Sequence, residues 1–143
     1  MHPHPTCIIV ADHHAARLFL RRNRGASLVE QLDATDSADF LEQEEHPSES
    51  LRRVAGRTMV KPRRERGREE LAVFLRRAAG QVDRAVAALG ARSLALCAPA
   101  DALSDLRDYI ASGTRQLLVF EMCQDLVRKS AAEIDAIMRQ NGM

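Results

Sequence analysis

Apolar positions in the first part of the chain come in short blocks. Cys7, Ile8, Ile9, Val10 and Ala11 run without a polar break, the pattern of a strand covered on both faces, until Asp12-His13-His14 interrupts it. Arg17-Leu18-Phe19-Leu20-Arg21 predicts a second strand and Ser27-Leu28-Val29-Glu30-Gln31-Leu32 a third. Between them Asn23-Arg24-Gly25 reads as a hairpin turn, with Gly25 free to adopt positive φ. Connections this short imply an antiparallel meander.

Beyond Arg68 the apolar period changes from two to 3.6. Leu71, Phe74, Leu75, Ala78, Val82, Ala85, Val86 and Leu89 form one face of a long helix, with Glu69 and Glu70 in its first turn and Gly90 placed to end it. Ser93-Leu94-Ala95-Leu96-Cys97-Ala98 predicts a buried strand. Pro99 then starts a turn into a short helix marked by Leu103, Leu106 and Ile110, with Asp101 or Ala100 near its cap. Gln116-Leu117-Leu118-Val119-Phe120-Glu121 predicts a fifth strand. Ser130-Ala131-Ala132-Glu133 is a capping box opening a last helix whose face is Ile134, Ile137 and Met138.

The resulting order, βββ then αβαβα, predicts an α/β layered domain with a mixed five-stranded sheet. Right-handed crossovers place the fourth and fifth strands parallel to each other and beside the first. This is the order of ribonuclease H-like folds.

The chain's 143 residues, 45% hydrophobic and 29% charged, fit one domain spanning 1–143. The polar stretch from Asp33 to Arg68 exceeds the ~12–15 residues usual for a structureless connection, and so predicts a long charged loop over 33–68 that is functional, mobile, or both. A formal net charge of +1 excludes a histone-like polycation, but it conceals a dipole in this loop. Residues 33–49 hold seven acids, including Glu42, Glu44, Glu45 and Glu49, and no Lys or Arg. Residues 52–68 hold Arg52, Arg53, Arg57, Lys61, Arg63, Arg64, Arg66 and Arg68 against Glu65 alone. Arginine supplies a planar fork for phosphate, so this half is the candidate surface for RNA or an acidic partner, while a solvated loop neutralised by its own acidic half is the plainer reading. No aromatic residue interleaves the basic run to stack bases.

No apolar run approaches the ~18 residues of a membrane span, and Met1 to Asp12 has no signal-peptide pattern, so a cytoplasmic location without membrane contact is expected. Cys7, Cys97 and Cys123 form no C-x-x-C pair and adjoin apolar runs, as buried reduced thiols do. Asp12, Glu69 or Glu70, and Asp101 or Asp125 fall where ribonuclease H-like nucleases hold two metals, which makes Asp12, Glu70, Asp101 and Asp125 the alternative metal site. Each also suits a turn, a helix start or a cap. Asp12-His13-His14 reads as an exposed turn with diverging side chains, and no cofactor is implied.

Five stretches carry a family resemblance: I-I-V-A-D-H-H-A-A-R-L-F-L at 8 to 20, A-G-R at 55 to 57, F-L-R-R-A from Phe74, L-A-L-C-A-P-A-D-A-L-S-D-L-R at 94 to 107 and Q-D-L-V-R-K-S at 124 to 130. In that order they resemble the bacterial host attachment proteins, relatives of the middle domain of archaeal and eukaryotic release factors and of the ribosome-rescue factor Pelota. The resemblance implies a link to translation or the ribosome. Release factors carry a Gly-Gly-Gln loop before their first long helix; here the matching place looks like Arg66-Gly67-Arg68-Glu69-Glu70, without glutamine, and Gly80-Gln81 falls inside the helix. That departure resembles Pelota and implies no peptide release. The expectation is therefore a non-catalytic domain contacting RNA or the ribosome through the Arg-rich loop. The alternatives are a metal-dependent nuclease and a protein-binding module for host attachment.

Overall fold

The computed structural model describes residues 4–23, 25–34 and 63–143, with 63–68 described by main chain alone. Arg52, Arg53, Arg57 and Lys61 lie outside them. The strands are β1 (Thr6–Ala11), β2 (Ala15–Arg22), β3 (Gly25–Asp33), β4 (Ser93–Cys97) and β5 (Leu118–Met122), and the helices are α1 (Arg63–Leu89), α2 (Ala100–Tyr109), α3 (Ser112–Arg115) and α4 (Ala131–Gln140). The sheet order is β3-β2-β1-β4-β5, with β1 antiparallel to β2, β2 antiparallel to β3, and β1, β4 and β5 mutually parallel. This is the mixed five-stranded sheet that the apolar pattern predicts.

The central strands β1 and β4 are apolar at every position after their first, where Thr6 and Ser93 stand, because both faces are covered. Cys7, Ile9 and Ala11 of β1, with Leu94 and Leu96 of β4, pack under α1 and α2 against Phe74, Leu75, Ala78, Val82 and Leu106. Ile8 and Val10, with Ala95 and Cys97, face the other way onto Leu126, Val127, Ile134 and Met138. The edge strand β3 is instead largely exposed, and a bulge opposite Leu18 and Phe19 shifts its register. Gly25 takes φ +109° in the hairpin and Gly90 takes φ +67° after α1, both as the turn and helix-stop readings require.

Several boundaries differ from the sequence reading. The α1 main chain begins at Arg63, so Arg63, Arg64, Arg66 and Arg68 sit in its first turns rather than in a loop. The apolar period starts only at Leu71, but Arg and Glu are good helix formers and extend the helix backwards without a core face. Pro99 is the N-cap of α2, with Ala100 and Asp101 beside it in the first turn. The short α3 occupies chain read as connection, and Arg115 within it donates to the carbonyls of Arg107, Asp108 and Ile110, satisfying the C-terminal end of α2. β5 accordingly begins at Leu118 rather than Gln116. Cys7 and Cys97 are buried, and burial pushes their thiols up to about 11 and about 12, whereas Cys123 is exposed because it lies just past the end of β5. No described helix is long and apolar enough to cross a membrane.

Candidate functional site

Parallel strands in an open α/β sheet collect functional loops at their carboxyl ends. Here β1 ends in Asp12-His13-His14, β4 in Ala98-Pro99 and β5 in Cys123. The other end of the sheet is fixed by main-chain bonds: Ala91 donates to the Val86 carbonyl and Arg92 to that of Pro5, which puts the end of α1 beside the start of β1. A helix of 27 residues spans roughly 40 Å at 1.5 Å per residue. The six residues of β1 cover only about 20 Å at 3.3 Å per residue, so α1 runs back past the carboxyl ends of β1 and β4, the side on which α2 starts. The helices α1 and α2 pack on each other, and the Arg76 guanidinium sits 5.1 Å from the centroid of the Tyr109 ring. Topology thus brings the first turns of α1, with their four arginines in sequence, to the side that also carries His13 and Asp101.

The β1–β2 connection is closed by three hydrogen bonds. Asp12 Oδ1 accepts from the main-chain N–H groups of His14 and Ala15, both at 2.7 Å, and the Asp12 N–H donates to the Ala15 carbonyl. This Asx turn aims His13 across the edge, where its Nε2 lies 2.9 Å from Asp101 Oδ2. Asp101 Oδ1 also accepts from the Ala102 N–H. The His13 hydrogen bond holds the Asp101 carboxyl below its ordinary range. The two side chains are 45% and 65% exposed, so the pair locates the turn more than it stabilises the fold.

A second connection is pinned from β2. Arg17 Nη1 donates to the carbonyls of Val127 and Lys129 at 2.8 and 2.9 Å, and its guanidinium lies 5.1 Å from the centroid of the Phe19 ring. Asp125 Oδ1 accepts from the Val127 N–H, turning the same segment. The capping box then starts α4: Ser130 Oγ accepts from the Glu133 N–H while Glu133 Oε1 accepts from the Ser130 N–H, each at 3.1 Å.

Of the residues read as an alternative metal site, Asp12, Asp101 and Asp125 do come to this edge, each engaged by neighbouring N–H groups, and Glu70 is exposed on α1. Among the described residues no three His, Cys, Asp or Glu side chains gather closely enough to hold one ion. The sequence reading missed the His13–Asp101 pair, because nothing local joins residues so far apart in the chain. It also missed Arg17 as an anchor, although Arg17, Phe19 and Arg21 alternate onto one face of β2 and two arginines beside a core phenylalanine are a legible signal.

A family model described as a protein required for attachment to host cells matches residues 7–138. No curated protein matches the chain. Among solved structures, the fold is similar to the archaeal translation termination factor aRF1, with a TM-score of 0.60 at 10% identity over 95% of this chain and 34% of that one. It is also similar to a structure described as an archaeal protein, with a TM-score of 0.56 at 11% identity over 96% of this chain and 34% of that one. Dom34 of S. cerevisiae, a translation termination-like factor involved in RNA quality control and interacting with Hbs1, gives 0.48 at 12% identity over 96% and 38%. The chain spans about a third of the length of the first two, and at these identities the likeness is one of fold.

Proposed function

We propose, from the premise that the chain belongs to the family of proteins required for attachment to host cells, that it is a translation-linked, non-catalytic domain contacting RNA or the ribosome. The contact runs through Arg63, Arg64, Arg66 and Arg68 where α1 begins. What supports this reading is that α1 starts on the carboxyl-end side of the parallel strands with an arginine-rich stretch of sequence, on a domain whose fold is similar to a translation termination factor. A helix that starts with arginines and no apolar residue is suited to a phosphate backbone, since guanidinium groups bind phosphate as a planar fork and bring no base preference. Arg52, Arg53, Arg57 and Lys61 extend the same basic surface in this proposal, within a single domain whose charged segment joins β3 to α1. The stretch that resembles the peptide-release loop, Arg66 to Glu70, is helical main chain without glutamine, which supports a contact role over release chemistry.

Co-sedimentation with purified ribosomes tests the proposal. The wild type is expected in the ribosomal pellet at about 50 mM salt and to leave it progressively as salt rises. Absence from the pellet at that salt, or a pelleted fraction indifferent to salt, would refute phosphate contact and leave a protein-binding role for the charged segment.

A further inference from the structure

At the opposite edge of the sheet, where β1 starts and β2 ends, an open cavity of about 390 Å³ has Arg21, Arg22, Asn23, Asp135, Arg139 and Met143 among its lining residues. Its volume lies within the range of small-molecule sites. Asp135 is buried and holds two guanidinium groups at once: Arg21 Nε donates to Oδ1 at 2.8 Å, and Arg139 Nε forms an ion pair with Oδ2 at 3.0 Å. A carboxylate used in this way fixes both arginines by their inner nitrogens and leaves outer N–H groups for another acceptor. Arg21 already shows that capacity, since its Nη1 donates to the Met143 main-chain oxygen at 2.5 Å. Arg22 has no ion pair among the described residues. Three guanidinium groups therefore face at most two carboxylates, even with a carboxylate at Met143 counted, and the cavity keeps an excess of positive charge.

A second cavity, of about 700 Å³, adjoins the first and shares Asp135 and Arg139 with it. It lies between the start of β3 and α4, and its remaining wall is made chiefly of Gly25 and small side chains, among them Ala26, Ala132 and Ala136. A cationic cleft opening onto a shallow wall of methyl groups has the chemistry to take an anion with an attached apolar group. We infer that this edge binds a soluble phosphomonoester, its phosphate held by Arg22, Arg139 and the free side of Arg21, and its organic part lying along the alanines of α4. Asp135 is a positioning residue that does not touch the ligand. The site is separate from the arginines of α1, which lie at the other end of the sheet.

Equilibrium titration of the full chain with phenyl phosphate, inorganic phosphate and phenol, and flotation with phosphatidylcholine vesicles containing phosphatidic acid, tests the inference. Phenyl phosphate is expected to bind more tightly than inorganic phosphate, and phenol not measurably. The double variant Arg22→Gln/Arg139→Gln should weaken phenyl phosphate roughly tenfold or more, with the thermal transition retained because both side chains are exposed. Ala132→Leu, which fills the groove without touching the cationic end, should bring phenyl phosphate to the level of inorganic phosphate. Equal binding by the wild type and the double variant would overturn the inference, and so would association with the vesicles in the absence of phenyl phosphate binding.

Discussion

Three cysteines, alike in their apolar neighbourhoods, separate by a single step of chain. Cys7 and Cys97 lie within strands covered on both sides, while Cys123 lies one residue past β5 and faces water. A disulfide reagent at pH 8 should therefore label one thiol of the folded protein quickly and the other two only after denaturation. Raising the pH to 9.5 should leave Cys7 and Cys97 silent, because burial holds their ionisation at about 11 and about 12. The sign of the linkage follows: unfolded thiols ionise near 9.0 and the buried ones do not, so this contribution to stability is whole below pH 9 and is lost between 9 and about 12. At the carboxyl edge, Asp101 behaves in the opposite sense. Its lowered carboxyl contributes above the ordinary value of 3.8 and loses that contribution as pH falls through the folded value. Being exposed, the His13–Asp101 pair should contribute under ~1 kcal/mol, so Asp101→Asn should barely move a urea midpoint at pH 7. A larger loss would mean that the turn is held mainly by this contact.

Elements differ in how openly they are written in the sequence. The capping box of α4 and the glycine stops are local, carried by neighbouring residues, and the structure places each where the sequence reading has it. Gly90→Ala should cost roughly 1–2 kcal/mol, since φ is +67° there and no atom lies within 4 Å of the added methyl group, leaving backbone strain as the whole effect. The urea midpoint measures this loss. The start of α1 was not legible from periodicity, because a helix that extends past its core face has no apolar stripe to mark it. The exposure of Cys123 and the helical turn at Ser112–Arg115 were hidden for a related reason: one depends on where β5 ends and the other on where it begins, and β5 is set by pairing with β4 rather than by its own composition. Arg17 joins elements that share no local sequence. Replacing it with Met keeps its stem over Phe19 but removes two bonds to carbonyls, and should cost roughly 1–2 kcal/mol with faster amide exchange across residues 126–129. Unchanged exchange there would show that Asp125 and the capping box hold the segment unaided.

At the scale of the whole molecule, the two hydrophobic clusters lie on opposite faces of the same strands, so neither can lose its packing while the other keeps it. Gly90→Ala on one face and Arg17→Met on the other should therefore shift one common unfolding transition, seen alike by circular dichroism and by calorimetry. The two proposals put their cationic sites at opposite ends of the sheet, so the central one can be tested apart from the other. If α1 begins in a phosphate-binding turn, the logarithm of RNA affinity must fall with the logarithm of salt, by about 0.7 per neutralised phosphate on a single strand. The decisive measurement is that slope for an unstructured single-stranded RNA, compared between the wild type and the variant with Arg63, Arg64, Arg66 and Arg68 all changed to Gln. Contact by all four predicts a slope shallower by about three units, with an unchanged melting temperature and little dependence on base sequence. Equal slopes in the two proteins would contradict the account.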